Sequence, residues 1–361
     1  MIPVFKPIIS KSDKNSVLKA LARGEISGTF GKSIIDLERN FSKYIGTRYA
    51  VSTSSGSTAL HLSIAALELK EGSEIIVSST TNIASALAIT HNRCIPVPID
   101  SNKNHWNIDC KIIEKSITKK TKAIIVVHFL GNPADMIKIN KIAKKYKIHV
   151  IEDAAEAHGA EINKKKVGSF GISGCFSFYA NKVITSGEGG IITTNNKKYY
   201  EKLKLYRNLG FTTPRFVHFI QGFNFRMTNL QAAVGVAQME QLPEFVQKKQ
   251  YIGEFYKSNL KGVGDIEFQH IKNDVEHNNW LFTIQTTKQK ELLQYLNSNK
   301  ILSRPFWMPM NQLPMYIDCH YINEIDNCRK IHDTCLSIPC STGITDEDLD
   351  LVVEKIKFFF K

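Results

Sequence analysis

Three stretches of the chain hold residue types that could do chemistry together: VSTSSGSTALHL at 51–62, VIEDAAEAHGA at 150–160 and GCFSFYANKVITSGEGGII at 174–192. In the first, a Ser/Gly-rich turn at Gly56 and Ser57 leads into a helical run. Such a turn offers backbone N–H groups and the positive end of a helix dipole, which together suit a phosphate. In the second, Asp153 stands at the end of a strand, where open α/β sheets place ligand-binding groups. In the third, Lys182 lies between Asn181 and a Gly-rich stretch, after the short strand-like run CFSF. Each has a plainer reading: the turn as a helix cap, Asp153 as a turn former, Lys182 as a surface charge. What points to one site is their joint occurrence in this order.

The elements that must position these groups alternate from Thr58 to about Thr194. STALHLSIAALEL reads as a helix, EIIVSS as a strand and NIASALAITHN as a helix; CIPVPID and KAIIVVHFL read as strands. From Ala134 to Tyr146, apolar Met136, Ile139, Ile142, Ala143 and Tyr146 recur at helical spacing. The strand IHVIED then ends in two carboxylates. Alternation of this kind predicts a mainly parallel sheet covered by helices. Beyond residue 242 longer helices are separated by isolated strands, in NNWLFTIQT and ILSRPF, and the chain closes with a helix capped by Thr345. The expectation is a large α/β domain over 1–242, including the N-terminal segment, and a smaller α+β domain over 243–361.

Bulk properties narrow the function classes. The formal net charge is +13, but the lysines fall in short scattered clusters such as Lys119–Lys120, Lys144–Lys145 and Lys164–Lys166. That pattern reads as a solvated surface with a mild attraction for anionic substrates, and no nucleic-acid partner is expected. The seven cysteines form no CxxC pair and have no His at ligand spacing, so neither a disulfide framework nor a metal site is expected. The start, MIPVFKPIIS, lacks the layout of a signal peptide and no apolar run reaches the length of a membrane span, so a cytoplasmic location is expected.

From IPVFKP near the start to SRPFWMPM, the chain resembles the sugar aminotransferases of the DegT/DnrJ/EryC1/StrS family, which depend on pyridoxal 5′-phosphate (PLP). HFLGNPADM, IEDAAEAHGA, SFYANKVITSGEGG and FNFRMTNLQAAVGVAQMEQL carry the likeness. The resemblance implies the aspartate-aminotransferase fold (fold type I) and PLP as cofactor. Lys182 then matches the lysine that bonds the cofactor covalently, and Asp153 the carboxylate paired with its ring nitrogen. Gly56 and Ser57 match the phosphate-binding turn, and Ser177 a hydroxyl on the same phosphate. Asn224 matches a residue supplied to that phosphate by a neighbouring subunit, which implies a homodimer with shared sites. Glu156 matches a Glu-or-Gln position beside cofactor and sugar; His128 and His158 are left as structural residues.

Two positions depart from the family pattern. Most relatives have an aromatic residue, stacked on the cofactor, where this chain has Asn82. They commonly have His where it has Asn311, so binding of the nucleotide phosphates is expected from Arg304 nearby. The implied reaction moves an amino group from L-glutamate to C4 of a nucleotide-linked 4-keto-6-deoxyhexose, for surface polysaccharide. A GDP-linked sugar is favoured over UDP- or dTDP-linked ones. Related PLP-dependent sugar dehydratases carry His where this chain has Lys182, which speaks against that alternative.

Overall fold

Short runs rich in Val and Ile, closed off by Ser, Asp or Asn, form the strands of a central sheet. The computed structural model describes residues 1–214 and 216–361. In chain order the strands are β1 Tyr49–Thr53, β2 Glu74–Ser78, β3 Ile95–Ile99, β4 Thr121–Val127, β5 His149–Asp153, β6 Ser173–Ser177 and β7 Gly190–Thr194. They lie side by side as β1-β7-β6-β5-β4-β2-β3. β7 runs antiparallel to β1 and β6, and the other pairs are parallel, so the sheet is mainly parallel.

Alternate side chains of each strand enter opposite cores, as a pleated sheet buried on both faces requires. Ile76, Ile124, Val126 and Phe176 join one core; Ile75, Val77, Ile125 and Cys175 join the other. The helix Lys32–Ile45 covers the first face with Ile34, Leu37, Phe41 and Ile45, spaced three or four residues apart. The helix Gly56–Ala65 covers the second with Leu60, Leu62 and Ile64.

A second sheet is antiparallel, in the order Glu267–Phe268, Phe282–Gln285, Cys335–Ile338, Arg304–Pro305. Both strands expected in this part exist, though only Arg304–Pro305 of ILSRPF enters the ladder. Ile301 instead forms a parallel bridge to Ile2, which seats the N-terminal segment beside the C-terminal part. Thr345 caps the last helix, Asp346–Phe359, by accepting from the Asp348 N–H.

One helix of 32 residues, Asn229–Leu260, runs straight through the expected boundary at 242/243. Pro243 sits inside it and lacks the N–H that would bond back one turn, the kind of signal that usually ends a helix. Buried Met239 and Leu242 before it, and Phe245 and Val246 after it, pack into one continuous core. Burial of that face outweighs the lost hydrogen bond.

Candidate active site

The parallel strands all end on one edge of the sheet, and a cavity of about 340 Å³ opens there. β1 delivers the turn Ser55–Ser57, β5 delivers Asp153 and Glu156 just beyond it, and β6 delivers Ser177 with Lys182 five residues on. Arg304, from the second sheet, completes the wall. The sequence-predicted residues thus converge, with one exception. Asn224 is exposed in a loop tied down by a bridge to Asn208 and does not line the cavity of its own chain.

Gly56 opens the helix Gly56–Ala65 behind a Ser55 cap whose hydroxyl accepts from the Thr58 N–H at 3.1 Å. As first-turn residues, Gly56 and Ser57 have N–H groups with no partner inside the helix, and both face the cavity. A Cβ on Gly56 would lie 2.7 Å from Ser177 Cβ, so only glycine lets the turn approach that strand. The result is a cradle of N–H groups with the Ser177 hydroxyl beside it.

β5 sorts its two terminal carboxylates by the two-residue period of a strand. Glu152 turns away and accepts from the N–H groups of Gly168, Phe170 and Gly171, each at 2.7 Å. His128 adds a contact at 3.0 Å from Nε2; because its Nδ1 accepts from the Ala134 N–H, Nε2 carries the proton. Glu152 and His128 are therefore structural. Asp153, only 5% exposed, faces the cavity and takes the Ser85 hydroxyl at 2.6 Å and the Ala155 N–H at 3.2 Å. Burial raises its carboxyl above the usual range, against those hydrogen bonds and the charge of Lys182. An anion so desolvated is stabilised most by a cation placed against it.

Burial lowers the Lys182 amine below the ordinary lysine range, with Glu156 and Asp153 opposing the shift and Arg304 adding to it. A larger fraction of free amine is what a nucleophile requires. The Lys182 Nζ lies 3.8 Å from the centroid of the Trp280 ring. Glu156, buried, accepts from the Leu130 N–H at 2.8 Å, and burial pushes its carboxyl up to about 7. His158, packed among Phe41, Phe176 and Phe178, is driven down to about 3 by burial and stays neutral.

Sequence reasoning missed Ser85, Trp280 and Trp307. Ser85 is an ordinary helix residue by sequence, and only the fold brings it to Asp153. Trp280 was read as part of a strand, yet it is fixed at three points. Its N–H donates to Asn278 Oδ1 at 3.0 Å, its Nε1 to the Asn181 carbonyl at 2.6 Å, and its carbonyl accepts from Lys249 Nζ at 2.8 Å. Asn278 in turn donates to the carbonyls of Glu156 and His158, both at 2.9 Å. The two departures from the family pattern have structural work. Asn82 lines the cavity and caps the helix Ile83–His91 by accepting from the Ala84 N–H at 3.0 Å. Asn311 accepts from the Ser79 hydroxyl at 2.6 Å, tying the second part of the chain to the end of β2.

These groups fit pyridoxal 5′-phosphate: a cradle for its phosphate, a dry carboxylate for its ring nitrogen and a depressed amine for its carbonyl carbon. Fold and site together define a fold type I PLP enzyme. The family model of the DegT/DnrJ/EryC1/StrS aminotransferase family matches residues 7–357, and the chain belongs to that family. Among its relatives, the GDP-perosamine synthase of Escherichia coli O157:H7 is 35% identical, with 99% of this chain and 98% of that one covered. The dTDP-3-amino-3,6-dideoxy-alpha-D-galactopyranose transaminase of Aneurinibacillus thermoaerophilus is also 35% identical, with 95% of each chain covered. Among solved structures, the E. coli GDP-4-keto-6-deoxy-D-mannose-3-dehydratase with bound hydrated PLP superposes at a TM-score of 0.92, with 26% identity and 99% of each chain covered.

Proposed function

We propose that the chain transfers an amino group from L-glutamate to C4 of a nucleotide-linked 4-keto-6-deoxyhexose, as a GDP-perosamine synthase does with a GDP-linked sugar. The observation that supports it most is the shared cavity, in which Lys182, Asp153 and the Gly56–Ser57 turn meet under Arg304. Bound PLP supplies an aldehyde that carries the nitrogen and a ring that withdraws electrons from the reacting carbon. Asp153 holds a proton on the ring nitrogen. The N–H groups of Gly56 and Ser57 and the Ser177 hydroxyl hold the phosphate, with Asn224 of a second subunit completing it in a homodimer. Lys182 Nζ takes a proton from the α-carbon of the donor and later delivers one to C4 of the sugar. Arg304, exposed at the mouth, suits the diphosphate. Lysine rather than histidine at 182 sets the site apart from the sugar dehydratases.

Relatives named for GDP- and for dTDP-linked sugars are both 35% identical, so the test spans the nucleotides. Incubation with glutamate and a panel of GDP-, UDP- and dTDP-4-keto-6-deoxysugars, followed by mass spectrometry, tests the proposal. The expected product has the carbonyl oxygen replaced by a hydrogen and an amino group, with the GDP-linked sugar used best. No aminated product from any member of the panel would refute it.

A further inference from the structure

Two indoles stand together on one wall of the cavity. The rings of Trp280 and Trp307 are stacked, with centroids 6.2 Å apart and planes 13° from parallel. The inner ring, Trp280, is 1% exposed, has its Nε1 committed to the Asn181 carbonyl and lies against Lys182 Nζ. Trp307 differs in its exposure and in its ring N–H. It is only half-buried, it lines the cavity, and its Nε1 has no hydrogen-bond partner among the described residues. Yet it is held firmly. Phe129 and Trp307 pack in a T-shaped contact with centroids 5.6 Å apart, and His332 Nδ1 lies 3.0 Å from the Trp307 carbonyl. A rigid ring with a free N–H, one indole removed from the reacting amine, is a platform with a polar handle.

From this geometry we infer that Trp307 is the sugar-selecting residue of the site: its face packs against the C–H face of the deoxyhexose and its Nε1 donates to a sugar oxygen. The inference rests on the proposed function and deepens it. The reacting sugar carbon must reach Lys182 Nζ, so the hexose ring occupies the space next to the paired indoles. The base is separated from it by the diphosphate, for which Arg304, three residues before Trp307, is placed. Trp307 therefore reads the sugar and not the nucleotide.

The test uses the PLP-loaded enzyme, which binds a keto sugar without being able to aminate it. Calorimetric Kd values are measured for GDP and for GDP-4-keto-6-deoxymannose with the wild type, Trp307→Phe and Trp307→Ala. Removing one apolar contact surface is worth on the order of 10- to 100-fold in discrimination. Trp307→Ala should therefore weaken the GDP-sugar by about that factor while GDP changes no more than about threefold. Trp307→Phe keeps a ring in place, guards against a folding defect and should lose roughly threefold to tenfold on the GDP-sugar alone, the worth of one hydrogen bond. In turnover, KM for the sugar should rise more than KM for glutamate in both variants. Equal weakening of GDP and GDP-sugar, or no weakening of either, would overturn the inference. A wild type that binds neither ligand would overturn the GDP-linked form of the proposed function, on which the inference rests.

Discussion

At the scale of single residues, burial sets the chemistry. Lys182 and Asp153 share one cavity, where burial lowers the amine and raises the carboxyl, and each state suits a cofactor bonded to the first and charged against the second. Lys182→Ala should abolish turnover yet still bind pyridoxamine phosphate, since the phosphate cradle does not depend on the covalent bond; absorbance titration and a turnover assay check both. Asp153→Asn should bind PLP but lose on the order of 10²-fold in rate, the usual cost of one electrostatic contact at the reacting centre. Glu156 gives a pH signature. Its folded carboxyl titrates near 7, above an unfolded value of about 4.3, so the stability it lends is present at low pH and lost as pH rises through 7. Glu156→Gln, which keeps an acceptor for the Leu130 N–H, should remove that loss. Its Tm relative to wild type should rise by a few degrees between pH 5 and pH 8, as calorimetry can show.

At the scale of elements, the site was legible because strand ends and the turns after them carry local signals. Alternation places the Asp at the end of IHVIED at a strand end; the Ser/Gly turn and the lysine after CFSF join it through their order along the chain and the family resemblance. The division of labour between Glu152 and Asp153 follows from the strand period, though which face held the cavity did not. Ser85 and Trp280 were out of reach, because each is brought in by a neighbour distant in sequence. Pro243 shows the same dependence on packing: a local helix breaker is outweighed by the buried residues on both sides of it. The approach of the phosphate turn to β6 yields a prediction. Gly56→Ala would set a Cβ 2.7 Å from Ser177 Cβ and must force the two elements apart. We expect PLP affinity to fall about tenfold or more and stability to fall by about 1–3 kcal/mol, the typical cost of overpacking. Equilibrium dialysis and denaturant unfolding measure the two.

At the scale of the molecule, the lysine-rich composition resolves into surface. Lys119, Lys120, Lys144 and Lys145 are exposed, whereas Lys249 is fully buried and spends its amine on backbone carbonyls. Among the described residues no helix is long and apolar enough to cross a membrane. Asn224, outside the cavity of its own chain, makes the proposed homodimer testable. Asn224→Asp and Lys182→Ala should each be inactive alone. In a mixed dimer with two-fold symmetry, one site collects both lesions and the other neither. Refolding the two variants together in equal amounts should return about a quarter of wild-type activity, since about half the dimers are mixed and each has one intact site. Absence of recovery, with subunit exchange demonstrated, would place Asn224 in its own chain's site.

The central claim is that nitrogen passes from an amino acid through Lys182's cavity to a sugar carbon. Glutamate labelled with nitrogen-15 tests it most directly, incubated with GDP-4-keto-6-deoxymannose and with either the wild type or Lys182→Ala. The wild type should yield an amino sugar carrying the heavy nitrogen together with 2-oxoglutarate in equal amount, and the variant should yield neither. Label that never reaches a sugar with the wild type, or that reaches it as readily without Lys182, would contradict the account.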